Sequence, residues 1–421
     1  MVGVIDIHEY GKKIEKKLVS SAEYFKTANG LVLLDFIDYL RAKCYSEARI
    51  LKYLDMLPRI DGIVCKVNGV CSSILWRDVS KEQMIRYISF VECNKLWSAE
   101  TKMCYRSVVK RFYKWLEGDD KEFPSKVSFI VSHVKKKDQR MIKPEECYTE
   151  EEKLKLINSA ANVRDRALVS LLAESGCRIG EALSMHIGCL KFDDFGCLAT
   201  VEGKTGQRTV RLVVSTSDLA LWLDNHPLKG IKDAPLFVNV GNVNTGDGLQ
   251  YRNARKMLDN LFKKAGIVGK RTNPHMFRHS AASSYGGRGM FNEFQMNQFF
   301  GWVQGGKMAS RYIHLNSKGT EDAMLSFYGL KTRDQVSDNS LKPRICPKCK
   351  GINSVRSSYC TRCGGVLDIE TAMKLDDALK QESNARNETD NIMQQLIKDP
   401  KFLQVMMNKM KEISLGNKIT N

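Results

Sequence analysis

The hydrophobic pattern changes its period between Phe192 and Val214, and this change limits the folds that the chain can adopt. Before and after this stretch, apolar residues recur mainly at helical spacing. Within it they alternate with polar residues, and the segments 197–201 and 208–214 flank a turn that contains Gly203 and Gly206. A hairpin placed between helical segments predicts a mainly α (α+β) protein with a small antiparallel sheet.

The first part of the chain reads as helical. Residues 1–27 have the pattern of an amphipathic helical segment, and the helical periods of residues 28–118 predict a small all-helical domain. The aromatic stripe from Tyr105 to Trp115 is interpreted as core, with a base-stacking platform as the alternative. The other faces of the same helix carry basic residues that either follow a DNA backbone or form a solvated face: Lys102, Arg106, Lys110, Arg111 and Lys114.

A net charge of +18, from 66 Lys and Arg against 48 Asp and Glu, favours a polyanionic partner. Residues 119–144, which we interpret as a linker between two domains, contain a run of basic residues. A positively charged linker suits a protein that closes around a duplex, since each phosphate contact adds affinity. The candidate DNA-contacting residues of this linker are Lys135, Lys136, Lys137 and Arg140.

No apolar stretch approaches the roughly 20 residues that span a bilayer, and Met1–Thr27 is charged. These features predict a soluble, cytoplasmic protein. Of the 13 cysteines, nine are scattered in apolar contexts, such as Cys44, Cys93, Cys177 and Cys189. We expect these nine to be reduced and to act as small core residues.

The stretch Asn273–Ser280 has the features of a helix start. Asn273 is a favoured N-cap residue, and Pro274 suits the first helical position. His275 and Arg278 are three residues apart, so they share one face at the positive end of the helix. This arrangement suits a phosphate, although two unrelated polar residues on a surface helix would give the same pattern.

Further short motifs surround that stretch in a particular order. Gly176-Cys-Arg-Ile-Gly-Glu181 comes first and Gly203-Lys204 second, then His275-Met-Phe-Arg-His-Ser280, Gly301-Trp302 and Tyr312-Ile-His314. Taken together, the motifs resemble those of the tyrosine recombinase (phage integrase) family. The resemblance implies that residues 145–330 are the catalytic domain and residues 28–118 the core-binding domain.

The resemblance also implies a chemistry. Arg178 and Arg278 would clamp the scissile phosphate, where positive charge stabilises the transition state. Tyr312 would attack the phosphate to give a 3′-phosphotyrosyl intermediate and a free 5′-hydroxyl. Lys204 would protonate the departing 5′-oxygen, and His275 would act as acid or base for the tyrosine step.

The remaining residues of the motifs have supporting roles by the same resemblance. Trp302, which stands where many family members have histidine, would add an indole N–H and apolar packing. Glu181 and His279 would orient their neighbours, whereas an exposed ion pair is the plain alternative for Arg178 and Glu181. Tyr328 is the nearest rival nucleophile, but its apolar helix predicts a core position.

After a linker at 331–344, two CxxC motifs are separated by ten residues. Their spacing predicts a short zinc ribbon over residues 345–366, with disulfides or free thiols as the alternatives, and resembles the appended ribbon of archaeal integrases. The structural zinc would be bound by Cys346, Cys349, Cys360 and Cys363. Residues 367–421 form a tail whose two helices would pack on this chain or on a neighbouring protomer.

These features predict a site-specific DNA recombinase or integrase that needs neither metal nor ATP for its chemistry. The resemblance implies a double-stranded recombination site as partner, a tetramer on paired sites, and a monomer or weak oligomer without DNA. Accessory DNA-bending proteins and a mobile-element origin are further expectations. Two alternatives stay open: a DNA-binding regulator that keeps the fold without strand exchange, and a transcription-related scaffold built on the ribbon.

Overall fold

The protein is described by a computed structural model. The residues described are 6–70, 73–118, 121–134, 138, 142–203, 206–241, 244–313, 324–325, 327–329, 343–353, 357–360, 363–398 and 400–416. None of the helices in these ranges is long and apolar enough to cross a membrane.

The first domain is helical, as predicted. Its core is a single cluster rich in aromatic rings, and Trp76, Phe112 and Tyr113 are all buried within it. The aromatic stripe of the last long helix is therefore core. Serine side chains cap two of the helices, Ser80 and Ser98 each accepting a hydrogen bond from a backbone N–H. The helices are α1 (Tyr10–Ser20), α2 (Ala22–Phe25), α3 (Ala28–Ala42), α4 (Glu47–Val67), α5 (Lys81–Cys93) and α6 (Ala99–Leu116).

This domain continues into the predicted linker. A short helix, α7 (Ser125–Ser128), follows α6, and Val127 and Ile130 are buried in the helical core. Basic residues of α6 hold the segment in place by donating to backbone carbonyls. The Nζ of Lys110 lies 2.7 Å from the Ile130 carbonyl, and an Nη of Arg106 lies 3.2 Å from that of His133.

The N-terminal segment bridges the two domains. Ile14 of α1 is buried in the helical core, whereas Ile7, a few residues earlier, is buried in the core of the second domain. The Ile7 carbonyl accepts a hydrogen bond of 3.0 Å from the Tyr251 amide. Residues 6–9, which we call the strap, therefore tie the helical domain to the second domain near its helix Ile179–Leu183.

The second domain combines helices with the predicted small sheet. Its three strands are ordered β1-β2-β3, all antiparallel, and the β2–β3 hairpin pairs Val201 with Arg208. The mainly α (α+β) prediction is thus confirmed. The elements are α8 (Glu150–Ser159), α9 (Val163–Ser175), α10 (Ile179–Leu183), β1 (Leu190–Asp193), β2 (Gly196–Gly203), β3 (Gly206–Leu212), α11 (Thr216–Asp224), α12 (Tyr251–Lys264), α13 (His275–Gly287), α14 (Glu293–Phe300) and α15 (Ser310–Ile313).

A smaller apolar cluster joins α13, α14 and α15. It consists of Ala281, Ala282, Met296, Phe300, Trp302, Ala309 and Tyr312. Because the predicted nucleophile and the predicted tryptophan both belong to this cluster, packing among these helices fixes the position of each.

The C-terminal part contains a two-stranded antiparallel sheet, β4 (Arg344–Ile345) with β5 (Ile352–Asn353). Two long helices follow, α16 (Ile369–Ile397) and α17 (Pro400–Gly416), as predicted for the tail. Several of their apolar side chains are exposed, such as Met393, Val405 and Met407.

Two predictions of burial are wrong. Cys44 and Cys93 are exposed, because Cys44 lies in the turn after α3 and Cys93 is the last residue of α5, whereas Cys177 is buried as expected. Tyr328 is 65% exposed. An apolar helix pattern shows that a face favours burial, but it does not show which surface receives that face.

Candidate active site

The start of α13 holds two of the predicted site residues. The Asn273 side chain accepts a hydrogen bond of 3.0 Å from the His275 amide, so it caps the helix as predicted, although Pro274 occupies the formal cap position. His275 is exposed at this end, and Arg278 is buried, at 2% exposure. The helix N-terminus thus carries an accessible imidazole and a buried guanidinium.

The Arg278 guanidinium is held from two sides. It donates to the Gly176 carbonyl at 3.1 Å and to the Phe300 carbonyl. It also lies 5.2 Å from the ring centres of both Phe300 and Trp302. Burial, and then the positive charge of Arg178, lower the pKa of Arg278 to about 10, so the group remains cationic at neutral pH.

Arg178 precedes α10 and is held by a carboxylate from the same helix. Glu181 accepts from the Arg178 guanidinium at 2.6 Å and from its backbone amide at 2.9 Å. The other partner of Glu181 is Arg208 on β3, at 2.8 Å. Burial raises the pKa of Glu181, but Arg208 and then Arg178 outweigh it and lower the pKa overall. A charged carboxylate between two guanidinium groups therefore fixes Arg178.

The close approach of β2 to this carboxylate explains a glycine of the motifs. A Cβ on Gly203 would lie 2.6 Å from Oε1 of Glu181, which is closer than van der Waals contact permits. Glycine at this position lets the hairpin pass against α10. The next residue, Lys204, lies outside the described residues.

Tyr312 on α15 lies in an aromatic stack. Its ring is parallel to that of Trp302, with 5.4 Å between centroids and 6° between planes, and Trp302 stacks in turn on Phe300. The Tyr312 hydroxyl forms a hydrogen bond of 2.5 Å with Nδ1 of His279. Burial raises the pKa of Tyr312 to about 12, so the hydroxyl keeps its proton at neutral pH.

The two histidines of α13 lie edge to face, with 4.7 Å between ring centroids. Desolvation, followed by the charges of Arg278 and Arg178, lowers the pKa of His275. Burial, followed by His275 and Arg278, lowers the pKa of His279 to about 4. Both rings are therefore neutral at pH 7, and either can accept a proton.

The structure thus brings together Arg178, Glu181, His275, Arg278, His279, Trp302 and Tyr312. Spacing alone did not identify Arg208. A signal for it was present, because Arg208 is in phase with Val210 and Leu212 on β3, and both of these are buried. A charge on the buried face of a strand requires a partner, and that partner is Glu181.

The predicted DNA-contacting residues of α6 are all half-buried and make contacts within the helical domain. On α6, Lys102 donates to the Glu92 carbonyl at 2.6 Å, and Arg106 pairs with the Glu92 carboxylate at 2.7 Å. Arg111 donates to the Tyr39 hydroxyl at 3.1 Å. Lys114 lies 4.9 Å from the ring centre of Phe123. The linker residues Lys135, Lys136, Lys137 and Arg140 lie outside the described residues.

The four predicted metal ligands converge. The sulfur atoms of Cys346, Cys349, Cys360 and Cys363 all lie within 4.8 Å of one another. Two pairs are 3.5 Å apart, well beyond a disulfide bond length of about 2.05 Å. Four thiolates about 2.3 Å from a tetrahedral zinc ion would have sulfurs about 3.8 Å apart, so the cluster fits this ion closely.

Comparison with known protein families gives a match to the part of the chain that contains these motifs. The model of the phage integrase family matches residues 147–318, a span that contains every predicted catalytic residue. The match covers this part of the chain rather than the whole, and we call residues 147–318 the integrase domain after it.

The sequence relatives are tyrosine recombinases. A XerC recombinase of Chromobacterium violaceum is 30% identical over 127 residues, which cover 30% of this chain and 40% of that protein. A XerC recombinase of Rhodospirillum centenum is 35% identical over 129 residues, which cover 30% of this chain and 36% of that protein. The matches thus span well under half of these relatives.

Solved structures show the same fold beyond the integrase domain. A XerH recombinase bound to palindromic difH substrate, in a post-cleavage complex, has a TM-score of 0.55 at 18% identity, covering 77% of this chain and 91% of that one. A lambda integrase dimer bound to a COC′ core site has a TM-score of 0.51 at 13% identity, covering 72% of this chain and 85% of that one. At these identities the similarity supports the fold rather than the activity.

Proposed function

We propose that this protein is a site-specific DNA recombinase or integrase that cleaves and rejoins DNA through a 3′-phosphotyrosyl intermediate. The observation that carries the proposal is the position of Tyr312. Its hydroxyl contacts His279 of α13, and its ring stacks on Trp302, which in turn faces the Arg278 guanidinium. A nucleophile, a neutral base and an arginine are thereby held together by packed side chains.

In the proposed reaction, Arg178 and Arg278 bind the non-bridging oxygens of the scissile phosphate. Both guanidinium groups are pre-oriented, Arg178 by Glu181 and Arg278 by two backbone carbonyls. Such pre-orientation stabilises developing charge without reorganisation during the reaction. Lys204 donates a proton to the leaving 5′-oxygen, and His275, exposed at the helix start, faces the phosphate as a further acid or base.

Double-stranded DNA is the proposed partner, with a tetramer formed on paired sites. XerH and lambda integrase are described in complexes with DNA, and lambda integrase also as a tetramer on a Holliday junction. The net charge of +18 suits such a partner. Because α6 uses Lys102, Arg106 and Lys110 for internal contacts, binding of DNA by this face would exchange those contacts for phosphates.

The test is capture of a covalent adduct from randomised duplexes. The full-length protein is incubated with a pool of duplex DNA of random sequence, and complexes that survive denaturant are recovered and sequenced. We expect recovery of a restricted set of sequences with protein attached to a 3′-phosphate. Sequence-selective binding without any covalent species would favour the DNA-binding regulator instead.

For the C-terminal cysteines, we propose a structural zinc site. About twenty residues carry too little apolar surface to fold alone, so bound metal would supply most of their folding energy. Asn353, which is buried, donates to the Cys360 sulfur at 3.6 Å and would help to orient that ligand.

Zinc analysis tests this site directly. The purified protein should contain one zinc ion per chain, and Cys360→Ser should lose it, because three thiolates bind much more weakly than four. Cys44→Ser, at an exposed cysteine outside the cluster, is the matched control and should retain zinc. A metal-free wild-type protein with a folded ribbon would contradict the proposal.

A further inference from the structure

The Tyr312 hydroxyl contacts the second histidine of the motif, the one that directly follows Arg278. Nδ1 of His279 lies 2.5 Å from the Tyr312 oxygen. The first histidine, His275, stands one helical turn earlier and faces outward, with its ring edge-to-face against His279. Of the two rings, therefore, only that of His279 contacts the Tyr312 hydroxyl, whereas that of His275 is exposed.

We propose that His279 is the catalytic base that accepts the proton of Tyr312 during attack on the phosphate. This assignment rests on the proposed function and extends it, because it gives the base of the tyrosine step to His279 and leaves His275 to the phosphate. The bond from the Tyr312 oxygen to phosphorus forms, the bond from phosphorus to the 5′-oxygen breaks, and the tyrosine proton moves to Nδ1. Rejoining reverses each transfer.

The charges around the pair keep this base neutral before DNA binds. The groups that face the pair or its neighbours are Arg278 and His275 on α13, Arg311 on α15, Cys147 before α8, and Arg178, Glu181 and Arg208 behind Arg278. Since burial, and then the neighbouring His275 and Arg278, disfavour the imidazolium, the pKa of His279 falls to about 4. A neutral ring that carries its proton on Nε2 has a lone pair on Nδ1, which can accept the hydroxyl proton.

Substrate binding would strengthen the base. Arg278 is one of the charges that lower the pKa of His279, and Arg278 is also a proposed phosphate ligand. A phosphate anion beside Arg278 offsets its charge, so the pKa of His279 rises when DNA is bound. The base is thereby activated where the scissile phosphate is present.

The kinetic test compares His279→Asn with wild type on a captured site that carries a nick, so that the short 5′-hydroxyl fragment diffuses away. The asparagine oxygen takes the place of Nδ1 and still accepts a hydrogen bond, but it cannot take the proton. We expect adduct formation to slow by about 10²-fold or more, which is typical for loss of a general base, with DNA affinity unchanged. A rate equal to that of wild type would overturn the assignment.

The pH profile and a modified substrate separate a base from a positioning residue. In wild type the cleavage rate should fall as the pH drops through the pKa of DNA-bound His279, because the protonated ring cannot accept. That acid limb should disappear in His279→Asn and persist in His186→Asn, a histidine control outside the site. A 5′-bridging phosphorothiolate, whose sulfur leaves without a proton, should not rescue His279→Asn; rescue would identify an acid and overturn the proposal.

A measurement on the DNA-free protein separates this inference from the proposed function. Nitrogen-15 NMR of labelled histidines should show His279 protonated on Nε2, with Nδ1 as the acceptor, and His279→Asn assigns the signal. Protonation on Nδ1 would overturn the inference even if the protein cleaves DNA. Conversely, a wild type that never forms an adduct refutes the proposed function, and the catalytic role of His279 with it.

Discussion

At the residue scale, the site depends on a few buried charges that are paired before substrate arrives. The motif spacing predicted Arg178 with Glu181 and His275 with Arg278, because residues three apart share a helix face. Neither Arg208 nor the contact of His279 with Tyr312 could be placed in this way. Both join elements that are distant in sequence, and only the packing of β3 against α10, and of α15 against α13, brings them together.

Two arginines on β3 offer a matched comparison. Arg208 pairs with Glu181, and their side chains are 8% and 5% exposed, whereas Arg211 pairs with Asp193 at 38% and 37%. Arg208→Leu should lower the free energy of unfolding by about 3 kcal/mol, since it leaves a buried carboxylate with one partner fewer. Arg211→Leu should change it much less, because both partners are exposed and solvent screens the pair. Chemical denaturation of both variants measures this, and equal losses would contradict a buried role for Arg208.

At the element scale, the turn between α9 and α10 positions both arginines. Gly176 has φ of 55°, and its carbonyl accepts from the Arg278 guanidinium at 3.1 Å. The sequence placed Gly176 at the start of the first motif. It could not show that α13 and α14 pack so closely on this turn that a side chain is excluded, because the apolar patterns of the helices do not specify their partners.

Gly176→Ala should therefore damage the site. A new Cβ would lie 2.7 Å from a Phe300 ring carbon and 3.3 Å from the Arg278 Cα, and the positive φ adds strain. We expect a loss of about 1–3 kcal/mol in the free energy of unfolding. The control is Gly62→Ala in the exposed interior of α4, where a Cβ meets nothing and should stabilise by about 0.5–1 kcal/mol. Stabilisation by Gly176→Ala would show that the turn is looser than described.

At the scale of the whole molecule, the strap gives the chain a second connection between its two domains. Residues 1–27 read as an amphipathic helical segment, and α1 confirms a helix there. The pattern did not show that the residues just before α1 insert into the other domain. A single buried isoleucine such as Ile7 leaves no periodic signal, so the sequence could not predict that it packs in the second domain.

Ile7→Asp tests the strap. Burial of an isoleucine contributes about 2 kcal/mol, and a charge in its place should release residues 6–9 from the integrase domain. The Tyr251 amide, which donates to the Ile7 carbonyl at 3.0 Å, should then exchange with deuterium roughly 30-fold faster if it opens locally. Val19→Asp, at a position 78% exposed, should leave that amide protected. Unchanged protection in Ile7→Asp would show that the strap does not hold this contact.

We propose that Tyr312 attacks DNA, and the mass of the residue that carries the nucleotide tests this attack. After digestion of the captured adduct with nuclease and trypsin, a peptide containing Tyr312 should carry a nucleotide 3′-phosphate. Tyr312→Phe should form no adduct while still binding the same duplex. A nucleotide attached to Tyr328 or to any other residue, or an undiminished adduct in Tyr312→Phe, would show that Tyr312 is not the nucleophile.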